Sequence, residues 1–228
     1  MPELNAVNLK LRIPDSITPR EAIKLQKNLA GLVSEESVLP TKITNLVGCD
    51  ATYVRGTTLA AATLVDYEKL KLLDKRAVEE ITRFPYIPGL LAFREGPAVL
   101  HAIHGLRPKS YVCLVDAHGI AHPRRFGFAC YVGLVLNKPT IGVAKSLLYG
   151  WEKESMVVDK DGHPLAAMLK LPESEKTIYV SVGHKISLED AVRIVKYCLT
   201  SHGPVPIRLA HEEVTKRKCL LKKSSPAS

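Results

Sequence analysis

Two aspartates stand directly after apolar segments, at positions where a carboxylate needs a partner. Asp50 follows LVGC (46–49), and Asp116 follows YVCLV (111–115). A charged group at the end of a buried strand is costly unless it is paired or binds a metal ion. If the two strands are neighbours, the carboxylates meet at one edge of the sheet, and a cation such as Mg²⁺ or Mn²⁺ would relieve their repulsion. The alternative is that each aspartate caps a loop or pairs with an arginine.

Two further side chains could join this edge of the sheet. Glu95 precedes a predicted helix and could supply a third carboxylate. Lys145 follows the apolar segment PTIGVA (139–144), so its ammonium could reach the same site and hold a phosphate or a water molecule. A lysine after a strand is more often a surface charge, and this is the alternative for Lys145.

The segment after Asp116 is rich in residues that bind phosphates. His118 and His122 lie four residues apart, but a glycine and a proline interrupt the segment. The two histidines therefore do not share a helix face, which disfavours zinc binding. Either histidine could contact a phosphate or donate a proton, or be an ordinary hydrogen-bonded loop residue. Arg124 and Arg125 could bind phosphates or cap the helix that follows.

The hydrophobic pattern predicts the elements that position these residues. Three consecutive strands with tight turns near Gly56 and Glu68 indicate an antiparallel meander, and helices alternate with strands after it. The predicted strands are 44–53, 57–67, 69–81, 111–117 and 139–145, with a strand pair around Asp161-Gly162 within 150–183. The predicted helices begin at the N-cap Thr18, at Pro97 as first helical residue, at Phe128 and at Ser187. This order predicts one α/β domain, residues 1–228, with a mixed sheet flanked by helices.

The composition is typical of a globular protein with a polyanionic partner. Hydrophobic residues make up 46% of the 228 residues and the net charge is +9, which suggests a polyanionic partner, nucleic acid being one candidate. Part of this charge belongs to a basic segment at about 214–228, which we expect to be a disordered tail. Apolar segments are too short to cross a bilayer and no signal peptide is recognisable, so we expect a cytoplasmic protein. The five cysteines are scattered and are expected to be reduced core thiols.

Five sequence blocks together resemble one protein family. They are VGCD (47–50), FPYIPGLLAFREGP (84–97), VDAHGIAHPRRFG (115–127), KPTIGVAKS (138–146) and SVGHKISLEDAV (181–192). Their order and spacing resemble those of endonuclease V, the deoxyinosine-directed repair nuclease, over residues 45–210.

The resemblance implies a fold, a reaction and a set of catalytic residues. The fold would be RNase H-like, with a three-stranded antiparallel meander followed by parallel strands. The reaction would be Mg²⁺-dependent hydrolysis, with Mn²⁺ able to substitute, at the second phosphodiester bond 3′ to a deaminated base in DNA, chiefly hypoxanthine. The products would carry a 3′-hydroxyl and a 5′-phosphate. Apart from the resemblance, we expect the protein to act as a monomer. Asp50 and Asp116 resemble the metal-binding aspartates, Glu95 the third acidic residue and Lys145 the active-site lysine.

The resemblance also assigns residues that contact nucleic acid. Tyr86 resembles the tip of a wedge that enters the duplex at the lesion. The wedge segment comprises Pro85, Tyr86, Ile87, Pro88 and Gly89. Gly119, His122 and Arg124 lie in a loop that resembles the segment for the base pocket and strand contacts. The alternative for the wedge segment is a rigid turn that places its aromatic ring in the core.

Two positions depart from the family pattern, and two other functions are open. Ala117 stands where family members usually have glycine, which puts the range of accepted bases in question. His211 stands where many relatives have an aspartate, and it could bind a second metal ion with a different preference. The chain could instead be an RNase H-like nuclease of another specificity, such as an inosine-RNA or a junction endonuclease, or a nucleic-acid-binding scaffold whose metal site has decayed. The intact set of three acidic residues and Lys145 disfavours the scaffold.

Overall fold

A nine-stranded mixed sheet organises the part of the chain that the computed structural model describes, which is Ile13 and residues 16–223. The strands are β1 (Asn45–Val54), β2 (Thr57–Asp66), β3 (Leu72–Ile81), β4 (Tyr111–Val115), β5 (Thr140–Ala144), β6 (Trp151–Lys153), β7 (Met156–Val158), β8 (Pro164–Lys170) and β9 (Thr177–His184). Their order across the sheet is β3-β2-β1-β4-β5-β9-β8-β7-β6. A separate pair, β10 (Leu199–Thr200) and β11 (Gly203–Pro204), lies outside it.

The meander and the parallel strands lie next to each other, as the sequence predicts. Strands β1, β2 and β3 pair antiparallel, whereas β4 pairs parallel to β1 and β5 parallel to β4. The β1–β2 turn consists of Arg55 and Gly56, whose φ angles of 47° and 82° fit the two-residue turns that connect twisted hairpins. The predicted strand pair after residue 150 is in fact the four strands β6 to β9, with Gly162 in the turn between β7 and β8.

Helices cover the sheet and confirm the predicted α/β class. They are α1 (Pro19–Ala30), α2 (Leu91–Leu106), α3 (Phe128–Leu136), α4 (Leu188–Tyr197) and α5 (Val205–Lys223). Helix α1 begins as predicted, because Thr18 Oγ1 accepts from the Glu21 amide at 3.3 Å and the Thr18 amide donates to Glu21 Oε2 at 2.8 Å. No described helix is both long and apolar enough to cross a membrane.

Helix α2 begins six residues earlier than the sequence predicts. The sequence places Pro97 at the first helical position, but it lies inside the helix with its ring exposed. A proline inside a helix removes one backbone hydrogen bond. Burial of Phe93, Val99 and Ile103 compensates for that loss. Glu95 is consequently part of the helix rather than of the loop before it.

The expected disordered tail is wrong for the residues up to 223. Helix α5 runs from Val205 to Lys223 and buries Ile207, Ala210 and Val214, an apolar stripe at helical spacing. Residues 224–228 lie outside the described part of the chain. Lys216 and Lys222 are exposed on this packed helix, whereas Arg217 and Lys218 are half-buried.

Helix α5 lies very close to strand β1. A Cβ atom built on Gly48 would come within 2.2 Å of the Pro206 carbonyl, so only glycine permits this approach. Gly48, Asp50 and Thr52 alternate along β1 and therefore point to the same face of the sheet. Lys218 Nζ on the helix donates to Thr52 Oγ1 at 3.1 Å, so α5 follows β1 past Asp50.

Candidate active site

Asp50 and Asp116 meet because their strands are neighbours in the sheet. The parallel pairing of β1 with β4 ends at Cys49 and Val115, and the Asp116 amide donates to the Cys49 carbonyl at 3.1 Å. Asp50 itself lies within β1, not at its end as predicted, because β1 continues to Val54 in its pairing with β2. The two carboxylates therefore meet where β4 stops and β1 goes on.

His211 joins the two aspartates from helix α5. Its Nδ1 atom lies 2.7 Å from Asp50 Oδ2, and one ligand atom from each of Asp50, Asp116 and His211 lies within 4.8 Å of the others. Two carboxylates are donors that Mg²⁺ and Mn²⁺ accept, whereas an imidazole is a donor more typical of transition metals. The three residues therefore fit a divalent-metal site.

The charge on Asp50 is incompletely compensated by the protein. Burial raises the pKa of Asp50, and the neighbouring Asp116 carboxylate raises it further, while His211 and Lys145 act in the opposite direction. The raised pKa indicates a carboxylate pair whose repulsion a bound cation would relieve.

Glu95 approaches the same site from helix α2 but stands outside the group of three. Burial raises its pKa to about 7, and the charges of Asp50 and Asp116 add to the shift, whereas Arg94 lowers it. Within residues 16–223, no hydrogen bond or salt bridge joins the Glu95 carboxylate to another side chain. Three carboxylates thus converge here from β1, the end of β4 and α2.

Lys145 reaches the site from the end of β5. Its Nζ atom lies 2.5 Å from Asp116 Oδ2, so the ammonium reaches the aspartates, while its catalytic role stays a prediction. Strands β4 and β5 are parallel neighbours, so the residues that follow them lie side by side. The strand order of the sheet therefore explains this contact.

A cavity of about 370 Å³ opens next to these groups. Asp116, His118 and Lys145 line one side, and residues 86–89 line another. Tyr86 is 69% exposed, so its ring does not lie in the core, in contrast to the buried Phe84 at the start of the 84–89 loop. The alternative of a buried Tyr86 is excluded, while its predicted contact with a base is not tested by this arrangement.

His122 and Arg124 hold the 84–89 loop in place. His122 Nε2 and Arg124 Nη2 each lie 2.9 Å from the Gly89 carbonyl oxygen. Burial lowers the pKa of His122 to about 4, so its ring is neutral at pH 7. Its Nδ1 atom accepts from the Arg124 amide at 3.2 Å, which leaves the Nε2 hydrogen for Gly89. The observed contacts of His122 and Arg124 hold the loop, and contacts of these two residues with nucleic acid stay a prediction.

Gly119 does not line the cavity and packs closely against β9. A Cβ atom there would lie 1.9 Å from the Val182 carbonyl oxygen, and its amide donates to Ser181 Oγ at 2.8 Å. Ala117, two residues before Gly119, does line the cavity, so its methyl group occupies space that a glycine would leave free. His118 also lines the cavity, and its buried Nδ1 atom has no hydrogen-bond partner within the described residues.

Comparison with known proteins identifies the family. The family model for endonuclease V matches residues 27–212. The chain belongs to the endonuclease V family. Endonuclease V of Methanothrix thermoacetophila is 40% identical over 204 residues, which cover 86% of this chain and 90% of that protein. Endonuclease V of Thermus thermophilus is 40% identical over 212 residues, covering 88% and 93%.

Solved endonuclease V structures share the fold. The enzyme from Streptomyces avermitilis is 30% identical and superimposes with a TM-score of 0.84, covering 94% of this chain and 99% of that one. Ciona intestinalis endonuclease V, solved with a 24mer DNA containing an inosine followed by a ribo-adenosine, is 26% identical with a TM-score of 0.82, covering 89% and 98%. The chain is therefore a nuclease with the endonuclease V fold.

One residue of the site was missed in the sequence. Gln26 on α1 is 1% exposed and lines the cavity. It stands on the buried face of the helix together with Ala22 and Leu29, at helical spacing. A long amide on an otherwise apolar face is the signal that could have drawn attention to it, because buried amides need hydrogen-bond partners.

Proposed function

We propose that this endonuclease V family member nicks DNA at the second phosphodiester bond 3′ to deoxyinosine and other deaminated bases, leaving 3′-hydroxyl and 5′-phosphate ends. The observation that carries the proposal is the cluster of Asp50, Asp116 and His211, which lies beside a cavity shared by Asp116, Lys145 and the 84–89 loop. The net charge of +9 suits a polyanionic substrate. In this proposal the enzyme acts in DNA repair, as a monomer in the cytoplasm.

The proposal includes a divalent metal ion, Mg²⁺ or Mn²⁺. Asp50 and Asp116 would hold it, with His211 and Glu95 as the further candidate ligands. A metal bound there would stabilise the charge on the phosphate and lower the pKa of a water molecule. The raised pKa values of Asp50 and Glu95 support a cation at this place.

The side chains around the cavity would bind the substrate. Enzymes that read an altered base take it out of the stack and enclose it in a pocket. The cavity volume of about 370 Å³ falls within the range of small-ligand pockets. The unpartnered Nδ1 atom of His118 can hydrogen-bond to a bound base, and Lys145 can bind a phosphate oxygen. Tyr86, exposed at the tip of its loop, would fill the space that the base vacates.

An inosine-specific endoribonuclease of the same fold is the second candidate. The Ciona intestinalis structure contains a ribo-adenosine directly after the inosine. A ribose at that position offers a 2′-hydroxyl, by which a protein distinguishes RNA from DNA.

A cleavage assay on matched oligonucleotides tests both candidates. The substrates are duplex DNA with deoxyinosine, the same strand alone, inosine-containing RNA and a deoxyadenosine control, each with Mg²⁺, Mn²⁺ or EDTA. The proposal expects metal-dependent nicking of inosine DNA at the second phosphodiester bond 3′ to the inosine. It expects no cleavage of the deoxyadenosine control. Cleavage of inosine RNA alone would support the second candidate, and equal cleavage of the deoxyadenosine control would refute both.

A further inference from the structure

The Gly89 carbonyl oxygen accepts hydrogen bonds from three side chains. Gln26 Nε2, His122 Nε2 and Arg124 Nη2 each lie 2.9 Å from it. Gly89 has a φ of +79°, and a Cβ atom there would be 2.9 Å from Arg124 Nη2. The Gly89 carbonyl oxygen therefore ties the end of the 84–89 loop both to α1 and to the loop after β4.

Gln26 connects these parts through all of its polar atoms. Besides Gly89, its Nε2 group donates to the Phe126 carbonyl at 3.0 Å, and its Oε1 atom accepts from Arg124 Nε at 2.7 Å. The side chain is 1% exposed. A buried amide that uses both of its hydrogens and its oxygen fixes the groups around it, because each lost bond leaves an unsatisfied partner.

The other end of the 84–89 loop is also held by a side chain. Arg94 Nη1 on α2 donates to the Phe84 carbonyl at 3.1 Å, and the Arg94 guanidinium stacks on the Tyr53 ring at 4.1 Å. The loop is therefore anchored at Phe84 and at Gly89. Tyr86 lies between these anchors and is exposed.

We propose that Gln26 is a positioning residue that fixes Tyr86 over the cavity and thereby sets the preference for lesions in duplex DNA. This rests on the proposed function, in which Tyr86 enters the stack. An exposed tip can displace stacked bases only if the loop behind it does not yield. Gln26 stiffens that loop without contacting the metal-binding cluster, so it acts on substrate selection and not on the chemical step.

The test is a double-mutant cycle between Gln26 and Tyr86. Gln26→Met keeps the side-chain volume and removes the hydrogen bonds, while Asn28→Met removes an exposed amide from the same helix as the matched control. We expect Gln26→Met to lower kcat/KM on the inosine duplex about tenfold, with about a threefold loss or less on the single strand. In a Tyr86→Ala background the same change should alter duplex cleavage by about twofold or less, because the residue acts through the tip. Asn28→Met should match the wild type throughout.

The remaining outcomes distinguish a failure of the role of Gln26 from a failure of the proposed function. Additive losses from Gln26→Met and Tyr86→Ala, or an unchanged duplex to single-strand ratio, would overturn the role of Gln26 and leave the inosine nuclease intact. No inosine cleavage by the wild type would overturn the proposed function itself. If Gln26→Met does not fold, Gln26→Glu is the second variant, since it keeps the volume and the Arg124 contact but turns the donors to Gly89 and Phe126 into acceptors. The same cycle is then expected, and failure of both variants to fold would make Gln26 a stability residue and refute the proposal.

Discussion

Lys145 Nζ lies 2.5 Å from Asp116 Oδ2, so the ammonium after β5 pairs with the carboxylate after β4. The pair is asymmetric, because the Asp116 side chain is 11% exposed and that of Lys145 is 63% exposed. Loss of the ammonium would leave the mostly buried Asp116 carboxylate without its partner, which is costly unless another cation takes that place. A metal ion bound beside Asp116 would therefore free Lys145 to turn to a phosphate oxygen.

We expect Lys145→Ala to lower kcat by about 10²–10⁴-fold, the usual effect of one positioned catalytic group. The fold should be preserved, since the lysine side chain is exposed, although the metal-free protein loses a charge that offsets Asp50 and Asp116. Single-turnover cleavage of an inosine duplex, with Lys145→Arg as the charge-preserving control, measures this. A raised KM with unchanged kcat would limit Lys145 to substrate binding.

Replacing either aspartate of the cluster by asparagine should abolish cleavage and preserve the fold. Asp50→Asn and Asp116→Asn each remove a charge that a metal ion would require. Because burial and Asp116 raise the pKa of Asp50, the Asp50→Asn variant should be at least as stable as the wild type without metal. Nicking assays in Mg²⁺, lesion-binding titrations and thermal melts provide the measurements. Full activity of either variant would refute the metal assignment.

Tyr86→Ala should weaken binding to an inosine duplex by about 1–3 kcal/mol, the range for one aromatic–base stack. Cleavage of single-stranded inosine DNA should fall much less, because little stacking has to be disrupted there. Stability should be preserved, as Tyr86 is 69% exposed. The ratio of duplex to single-strand cleavage at one salt concentration measures the effect. Equal losses on both substrates together with a lower melting temperature would contradict it.

Glu95→Gln should stabilise the metal-free protein at alkaline but not at acidic pH. The folded-state pKa of Glu95 is about 7, above its ordinary value of 4.5. Between pH 4.5 and pH 7, Glu95 therefore keeps its proton in the folded state but has lost it in the unfolded state. Stability contributed by protonated Glu95 is complete below about pH 4.5 and is lost as the pH rises to 7. At pH 8 in EDTA the free energy of unfolding of the variant should exceed that of the wild type by on the order of 1–3 kcal/mol. At pH 4.5 the two proteins should be equally stable.

Denaturant unfolding at both pH values tests this, with the exposed Glu36→Gln as control. A gain of the same size at pH 4.5 would show that ionisation of Glu95 is not its cause.

The sequence predicted the elements whose signals are local. The meander follows from three consecutive strand segments with tight turns near Gly56 and Glu68, and α1 follows from the Thr18 cap. Helix α2 was misplaced because Pro97 is a strong local signal for a helix start, whereas burial of Phe93 and its neighbours determines where the helix begins. Helix α5 was missed because its basic residues hid the apolar stripe that packs on β1.

For the candidate site, the residue types were predictable but the network around them was not. Asp50, Asp116 and Lys145 follow or interrupt apolar strands, so their positions could be read from the hydrophobic pattern and the family motifs. The hydrogen bonds of Gln26 join it to residues 63 and 100 positions away. No local pattern encodes contacts of that sequence separation, and they depend on how α1 packs against two loops.

Because α5 packs against β1 at Gly48, the cluster that contains His211 can form only late in synthesis of the chain. Asp50 and His211 are 161 residues apart, and α5 also covers the β1 face that carries Asp50. Domains begin to form during synthesis from the N-terminal side. A nascent chain on the ribosome can thus carry both aspartates, yet it lacks the imidazole and leaves this face of β1 open until α5 has emerged. The cluster is complete only in a chain that extends past residue 211, so translation itself delays the assembly of the candidate metal site.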